Sequence, residues 1–240
     1  MIGGAAGPIG GDELTLRISV AEGAFLRVRT AAASIALPGP DGLESVLRIS
    51  VSVGRGARLE YLPEPVVVTA GARHATIVSV SLDEGASLLV RDELLLGRHG
   101  EDGGAARSVL RVDYAARPLL RQALEVGGTD DASRGPAVLA GHRAVGTLLH
   151  VSPTLGVRTA GSVVAADTSL TSATTGRADR AGSADRAGSA AVLPLAGPGV
   201  LVMALADDAV TLRQRLMEGM GAELFEGGTF ADAGQRPMLG

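Results

Sequence analysis

The residues in this sequence best placed to do chemistry are carboxylates. Asp41, Glu44, Glu64, Asp92 and Glu93 sit in short polar stretches between apolar segments. Paired carboxylates can exchange protons, hold a cation or cleave a glycosidic bond. The glycosidase option lacks its usual companions. Tyr61 and Tyr114 are the only tyrosines and there is no tryptophan, so no aromatic platform for a sugar is evident.

Other chemistries are excluded more firmly. The chain has no cysteine, which removes disulfides, thiolate metal sites and a cysteine nucleophile. It has no lysine, since all 22 basic residues are arginine, and that removes a phosphate-loop lysine and a Schiff-base lysine. No G-x-S-x-G elbow occurs. The four histidines, His74, His99, His142 and His150, match no zinc-binding spacing. Gly3, Gly4, Gly7, Gly10 and Gly11 resemble a phosphate cradle, but the G-x-G-x-x-G pattern is absent and a strand follows where a helix is needed.

Composition sets wider bounds. A chain of 240 residues holds one large all-β domain or two small ones, and 46% hydrophobic residues suffice for a core. With 2% aromatics, that core is built of Val, Leu, Ile and Ala. A net charge of -4 argues against nucleic acid. Residues 1–11 carry no basic or apolar leader pattern. The longest apolar run, Ala191 to Ala206, is broken by Pro194, Gly197, Pro198 and Gly199. A cytoplasmic protein without membrane contact is therefore expected.

The carboxylates must be positioned by four stretches that repeat one another. Leu14–Thr30, Val46–Leu62, Thr76–Val90 and Val109–Leu124 each read as strand, tight turn, strand. Alternation marks the strands: Leu14, Leu16, Ile18 and Val20 face one way, and Thr15, Arg17 and Ser19 the other. Leu47, Ile49, Val51 and Val53 repeat the pattern, as do Val78, Val80 and Leu82, and Leu110, Val112 and Tyr114. A leucine returns at one offset after each turn, as Leu26, Leu59, Leu88 and Leu120. Gly23, Gly56 and Gly85 supply the positive φ that three of the turns need. One such unit cannot bury its apolar face alone, whereas four stacked units can. The fold class is therefore all-β: stacked β-hairpin repeats over residues 14–124, β-helix-like or sandwich-like, with one or two C-terminal helices, in one domain spanning 1–240.

Stacking in register places the connections, Pro38–Gly42, Pro63–Pro65 and Arg91–Asp92–Glu93 onward, along one acidic rim. Ala137–Val151 and Gly161–Thr171 resume a looser β pattern. A perfect tandem hexapeptide, Ala178–Ser183 then Ala184–Ser189, makes residues 172–191 a disordered insertion. Val192–Ala206 reads as two short strands around Gly197–Pro198–Gly199. Asp207 or Asp208 then caps a helix over 207–221, with Val210, Leu212, Leu216, Met217 and Met220 as its apolar stripe. Gly219 and Gly221 end that helix.

The order of several short motifs resembles the family of urease accessory protein D (UreD, also UreH). Ala6–Asp12 is similar to that family's Gly-Gly-Asp loop. Leu59-Glu60-Tyr61-Leu62-Pro63-Glu64 and Asp92-Glu93-Leu94-Leu95-Leu96-Gly97-Arg98 resemble two further stretches of it. Val200-Leu201-Val202, Asp207-Asp208 and the closing helix fit its C-terminal pattern. Family members carry extra strands before the Gly-Gly-Asp loop, and an aromatic where this chain has Arg91-Asp92. The resemblance implies a non-enzymatic maturation factor that binds the urease structural subunits and the accessory proteins UreF and UreG. It implies no tightly bound cofactor, and transient nickel guided partly by acidic side chains. Glu64, Asp92 and Glu93 are the candidate nickel ligands, since oxygen ligands suit a metal that must leave again. The competing expectation for Glu93 is an ion pair with Arg98, and the competing function is a β-rich binding module with no metal role.

Overall fold

A computed structural model describes residues 7–128, 135, 138–155, 164–165 and 188–226. The chain winds in coils. The first holds β1 (Glu13–Val20), β2 (Phe25–Val28) and β3 (Ser34–Ala36). The second holds β4 (Ser45–Val53), β5 (Arg58–Tyr61) and β6 (Val66–Val68). The third holds β7 (Arg73–Leu82) and the long β8 (Ser87–Leu96), and β9 (Ala105–Tyr114) and β10 (Arg117–Gly127) follow. The rest comprises β11 (Ala144–Val151), β12 (Val164–Ala165), β13 (Ser189–Pro194), β14 (Gly199–Ala206) and one helix, α1 (Ala209–Glu226).

The repeats are real, but the first three are not hairpins. After each turn the chain crosses to a second sheet, so the two arms of a unit face each other across the core. Pairing runs between coils, in parallel. Leu16, Ile49, Val78 and Leu110 form one register row, and Ile18, Val51, Val80 and Val112 another. In the second sheet Leu26, Leu59 and Leu88 align. This is a short β-solenoid, with sheet order β1-β4-β7-β9-β10 on one side. On the other, β2-β5-β8 continues into β11, β14, β13 and β12.

Turn chemistry explains why the fourth unit differs. Gly23, Gly56 and Gly85 have φ of 67°, 63° and 78°, and each turn has a single such residue before the second arm. In the fourth turn Ala115 and Ala116 both take positive φ, 48° and 60°. Two consecutive left-handed residues make the twist of a two-residue hairpin. β10 therefore folds back antiparallel on β9, and Leu120 pairs with Val112 of its own unit and leaves the Leu26 row.

The core lies between the sheets. Ile49, Val78 and Val112 are at most 3% exposed, and Leu59 and Leu88 at most 1%. Each such side chain contributes about 1.5–3 kcal/mol by burial. A second core lies under α1, where Leu212, Leu216 and Met220 recur every fourth residue and pack on Leu148, Val192, Val200 and Val202. Val210 and Met217, expected in that stripe, are instead 70% and 49% exposed.

Asp208 is the cap: its Oδ1 accepts the N–H groups of Val210 and Thr211 at 2.8 and 2.9 Å. Asp207 instead bonds His142 Nδ1 at 2.8 Å. The helix does not stop at Gly219 or Gly221. A Cβ at Gly219 would lie 2.7 Å from Val202 Cγ1, so this glycine lets α1 approach the sheet.

β13 and β14 form the expected pair of strands around Gly197–Pro198–Gly199. Ser189–Ala191, expected at the end of the insertion, belongs to β13. Residues 178–187 of the tandem hexapeptide lie outside the described residues. No helix among them is long and apolar enough to cross a membrane.

Candidate functional site

Arg91, Asp92 and Glu93 do not form a connection. They lie inside β8, where alternation sends Asp92 inward between the sheets and Arg91 and Glu93 outward beneath α1. Glu64 reaches the same place by another route. Between Tyr61 and Val66 the chain advances five residues while β8 advances four, from Val90 to Leu94. Pro63 and Pro65 flank the slack, cannot donate to a ladder, and throw Glu64 out of the sheet toward α1.

Outside the sheet, two carboxylates meet two guanidiniums. Arg213 Nη2 donates to Glu93 Oε2 at 2.6 Å and to Glu64 Oε2 at 3.0 Å. Its Nε adds a bond to Glu93 Oε1 at 3.2 Å. Arg91 Nε lies 3.4 Å from Glu93, and its Nη2 lies 3.8 Å from Glu64 and donates to the Pro63 carbonyl at 2.9 Å. The Glu93 side chain has no exposure at all. Hydrogen bonding to Glu93 is the largest influence on Arg213 and holds its proton more firmly than usual. Burial acts the other way on Arg91 and prevails there over the pull of Glu93.

Between the sheets, Asp92 Oδ2 accepts a hydrogen bond from Ser108 of β9, which ties the two sheets together. Desolvation pushes the Asp92 carboxyl above the usual range and Glu93 adds to this, against the Ser108 bond. Tyr61 is pushed up to about 12 by burial and then by Asp92. Both line a cavity of about 70 Å³ whose walls also carry Thr76, Thr147, Glu64 and Glu93. That is room for a few water molecules.

The three carboxylates expected from sequence thus border one cavity, in two electrostatic settings. Asp92 faces oxygen donors, while Glu64 and Glu93 are neutralised by arginines. The other members of the expected rim lie elsewhere. Glu44 pairs with Arg107 at 2.9 Å, and Asp41 sits in an exposed turn. Arg98 does not reach Glu93; it pairs with Glu101 at 2.8 Å.

Arg213 and Ser108 carry no local sequence signal of their role. They enter from a helix and a strand far from β8 in the chain. Among the described residues no group of three or more His, Asp and Glu side chains is arranged to hold a metal ion. His74 is buried between Ser45 and Thr76, at 2.9 and 3.2 Å, and burial lowers its proton affinity. His150 is pushed down to about 4 by burial and by Arg58.

Comparison with known proteins relates the sequence to a family. A family model described as UreD urease accessory protein matches residues 1–228. A urease accessory protein UreD of Parafrankia sp. (strain EAN1pec) is 41% identical over 236 residues, covering 90% of this chain and 72% of that one. Its counterpart in Frankia alni is 43% identical, covering 90% and 70%. A urease accessory protein UreD 3 of Streptomyces griseus is 42% identical, covering 92% and 79%. With the family model spanning nearly the whole length and relatives of this identity, the chain belongs to the UreD family of urease accessory proteins.

Proposed function

We propose that this chain is a non-enzymatic scaffold of urease maturation. It binds apo-urease and the accessory proteins UreF and UreG in the cytoplasm, and helps nickel reach the urease active site. Family membership supports the maturation role. The observation that carries the nickel role is the Asp92 carboxylate, held inside the solenoid on a largely apolar cavity that also carries the hydroxyls of Tyr61, Thr76 and Thr147.

A carboxylate with hydroxyl and water neighbours binds a divalent transition metal less tightly than imidazole or thiolate does, so cargo can pass on. Glu64 and Glu93 border the same cavity from the α1 side of β8, where Arg213 and Arg91 hold them. With Arg213 in place their charge is spent. That same pairing favours a second reading, a binding module in which Glu64 and Glu93 only fasten α1 and no metal passes.

The experiment is co-expression of urease with its accessory proteins, with and without this chain, followed by pull-down on a tagged copy. Recovery of apo-urease on the tag, and nickel-loaded urease only when the chain is present, is expected. Urease that loads equally well without it would overturn the maturation role.

A further inference from the structure

The sheet β1-β4-β7-β9-β10 turns one face to the core and the other to solvent. Its middle strands β4, β7 and β9 are each paired on both sides, and their outward positions form a regular grid with those of β10. One row runs Arg48, Ile77, Val109 and Ala123, and the next runs Ser50, Ser79, Arg111 and Arg121. A third sets Ser52 beside Ser81 and Asp113. β4 pairs with β7, and β7 with β9, without a register shift, so the face is even. Its serines and arginines are exposed.

The arginines of this face differ from those elsewhere. Arg58 and Arg91 of the second sheet, and Arg213 and Arg215 of α1, all hold carboxylates. Arg48 and Arg111 hold none among the described residues. β4 and β7 contain no Asp or Glu at all. Asp113, the only carboxylate of β9, is taken by Arg121, whose Nη1 also donates to the carbonyls of Val112 and Leu120 at 2.9 and 2.8 Å. Arg111 stands directly opposite Arg121 across the β9–β10 pair. Like charges so placed repel, and an anion from outside relieves them. The chain as a whole has a net charge of -4, so this positive face is opposite in sign to the rest of the molecule.

We propose that this face docks on an acidic surface of a partner protein. Arg48 and Arg111 each take a separate carboxylate, and Ser50, Ser52, Ser79 and Ser81 supply hydroxyls between them. The inference rests on the reading of this chain as a scaffold, and the partner is one of the proteins proposed there: apo-urease, UreF or UreG. Neighbouring strands lie about 4.8 Å apart, so Arg48 and Arg111, two strands apart, are separated by roughly 10 Å or more at the backbone. That spacing suits carboxylates spread over a flat protein surface and not one small anion. Serine is short, so docking on this face immobilises few side-chain rotamers.

Binding of the full chain to purified apo-urease, UreF and UreG, each at low and high salt, tests the proposal. At least one of the three is expected to bind, with an association rate that falls as salt rises. Arg48→Glu and Arg111→Glu are each expected to weaken that binding about tenfold, and the double variant about a hundredfold. Ser79→Trp sets a bulky ring in the middle of the face without changing its charge, and is expected to weaken binding at least as much as one reversal. Arg55→Glu makes the same change in net charge at a turn off this face, and is expected to leave binding unaltered. All four positions are exposed, and circular dichroism checks that the fold is kept. If the unmodified chain binds and the Arg48 and Arg111 reversals change no affinity, the docking face is overturned while the scaffold reading stands. If the unmodified chain binds none of the three, both fall. An equal loss with Arg55→Glu would reduce the effect to net charge and overturn the face. Binding of duplex DNA or phosphatidylserine vesicles through Arg48 and Arg111, as tightly as any of the three proteins, would also overturn it, since the occupant would then be a phosphate surface.

Discussion

Arg213 of α1 and Glu93 of β8 lie 120 residues apart in sequence and meet at 2.6 Å, with the Glu93 side chain fully buried. This contact anchors the C-terminal helix to the solenoid. Removing the guanidinium leaves Glu93 to the longer Arg91 contact. Arg213→Met keeps the apolar stem, and it is expected to cost about 2 kcal/mol, less than the roughly 3–5 kcal/mol for breaking a fully buried pair because the arginine is partly exposed. Urea denaturation measures this, and an unchanged midpoint would remove the contact from the account.

Asp92 predicts a pH dependence. Its carboxyl is raised in the folded state by desolvation, so unfolding releases protons between its unfolded value, about 3.9, and its higher folded value. The native state is therefore penalised as pH rises through that window, and the penalty is complete above it. Asp92→Asn retains an acceptor for Ser108 and removes the charge. Its stability is expected to equal or exceed wild type at neutral pH, with the difference vanishing under acid. A variant that is much weaker at pH 7 and not at pH 4 would contradict the sign.

Two glycines in α1 make opposite predictions. Gly219 lies against Val202, and a methyl there meets Cγ1 at 2.7 Å. Gly219→Ala gains about 1 kcal/mol of helix propensity but loses 1–3 kcal/mol to overpacking, roughly, so a net loss is expected. At Gly221 nothing lies within 4 Å, and Gly221→Ala is expected to stabilise by up to about 1 kcal/mol. Thermal melts of the two variants should move in opposite directions.

The solenoid was legible in the sequence because its rungs reuse one pattern. Leu16, Ile49, Val78 and Leu110 were identifiable as equivalents, and they are register neighbours. Which strands pair was not legible. A glycine turn that closes a hairpin and one that carries the chain across to another sheet read alike, and only the paired positive φ of Ala115 and Ala116 separates them. Alternation marks β8 as a strand up to Val90, but the charged run Arg91–Glu93 masks its continuation to Leu96. The carboxylates were therefore found while their partners were missed. Ser108 and Arg213 reach β8 through tertiary packing, which no spacing along the chain encodes. The helix passes Gly219 because packing against Val202 of β14, not local propensity, decides the conformation there.

The nickel content of urease matured with the Asp92→Asn variant tests the central proposal most directly. Asn preserves size and a hydrogen-bond acceptor, and removes the one cavity carboxylate that no arginine neutralises. The chain carrying Asp92→Asn is co-expressed with urease, UreF and UreG, and nickel per urease active site is measured beside the yield of the accessory complex. A normal complex yield with a several-fold drop in nickel is expected. Full nickel loading at normal complex yield would contradict a route through Asp92 and leave the chain a scaffold alone.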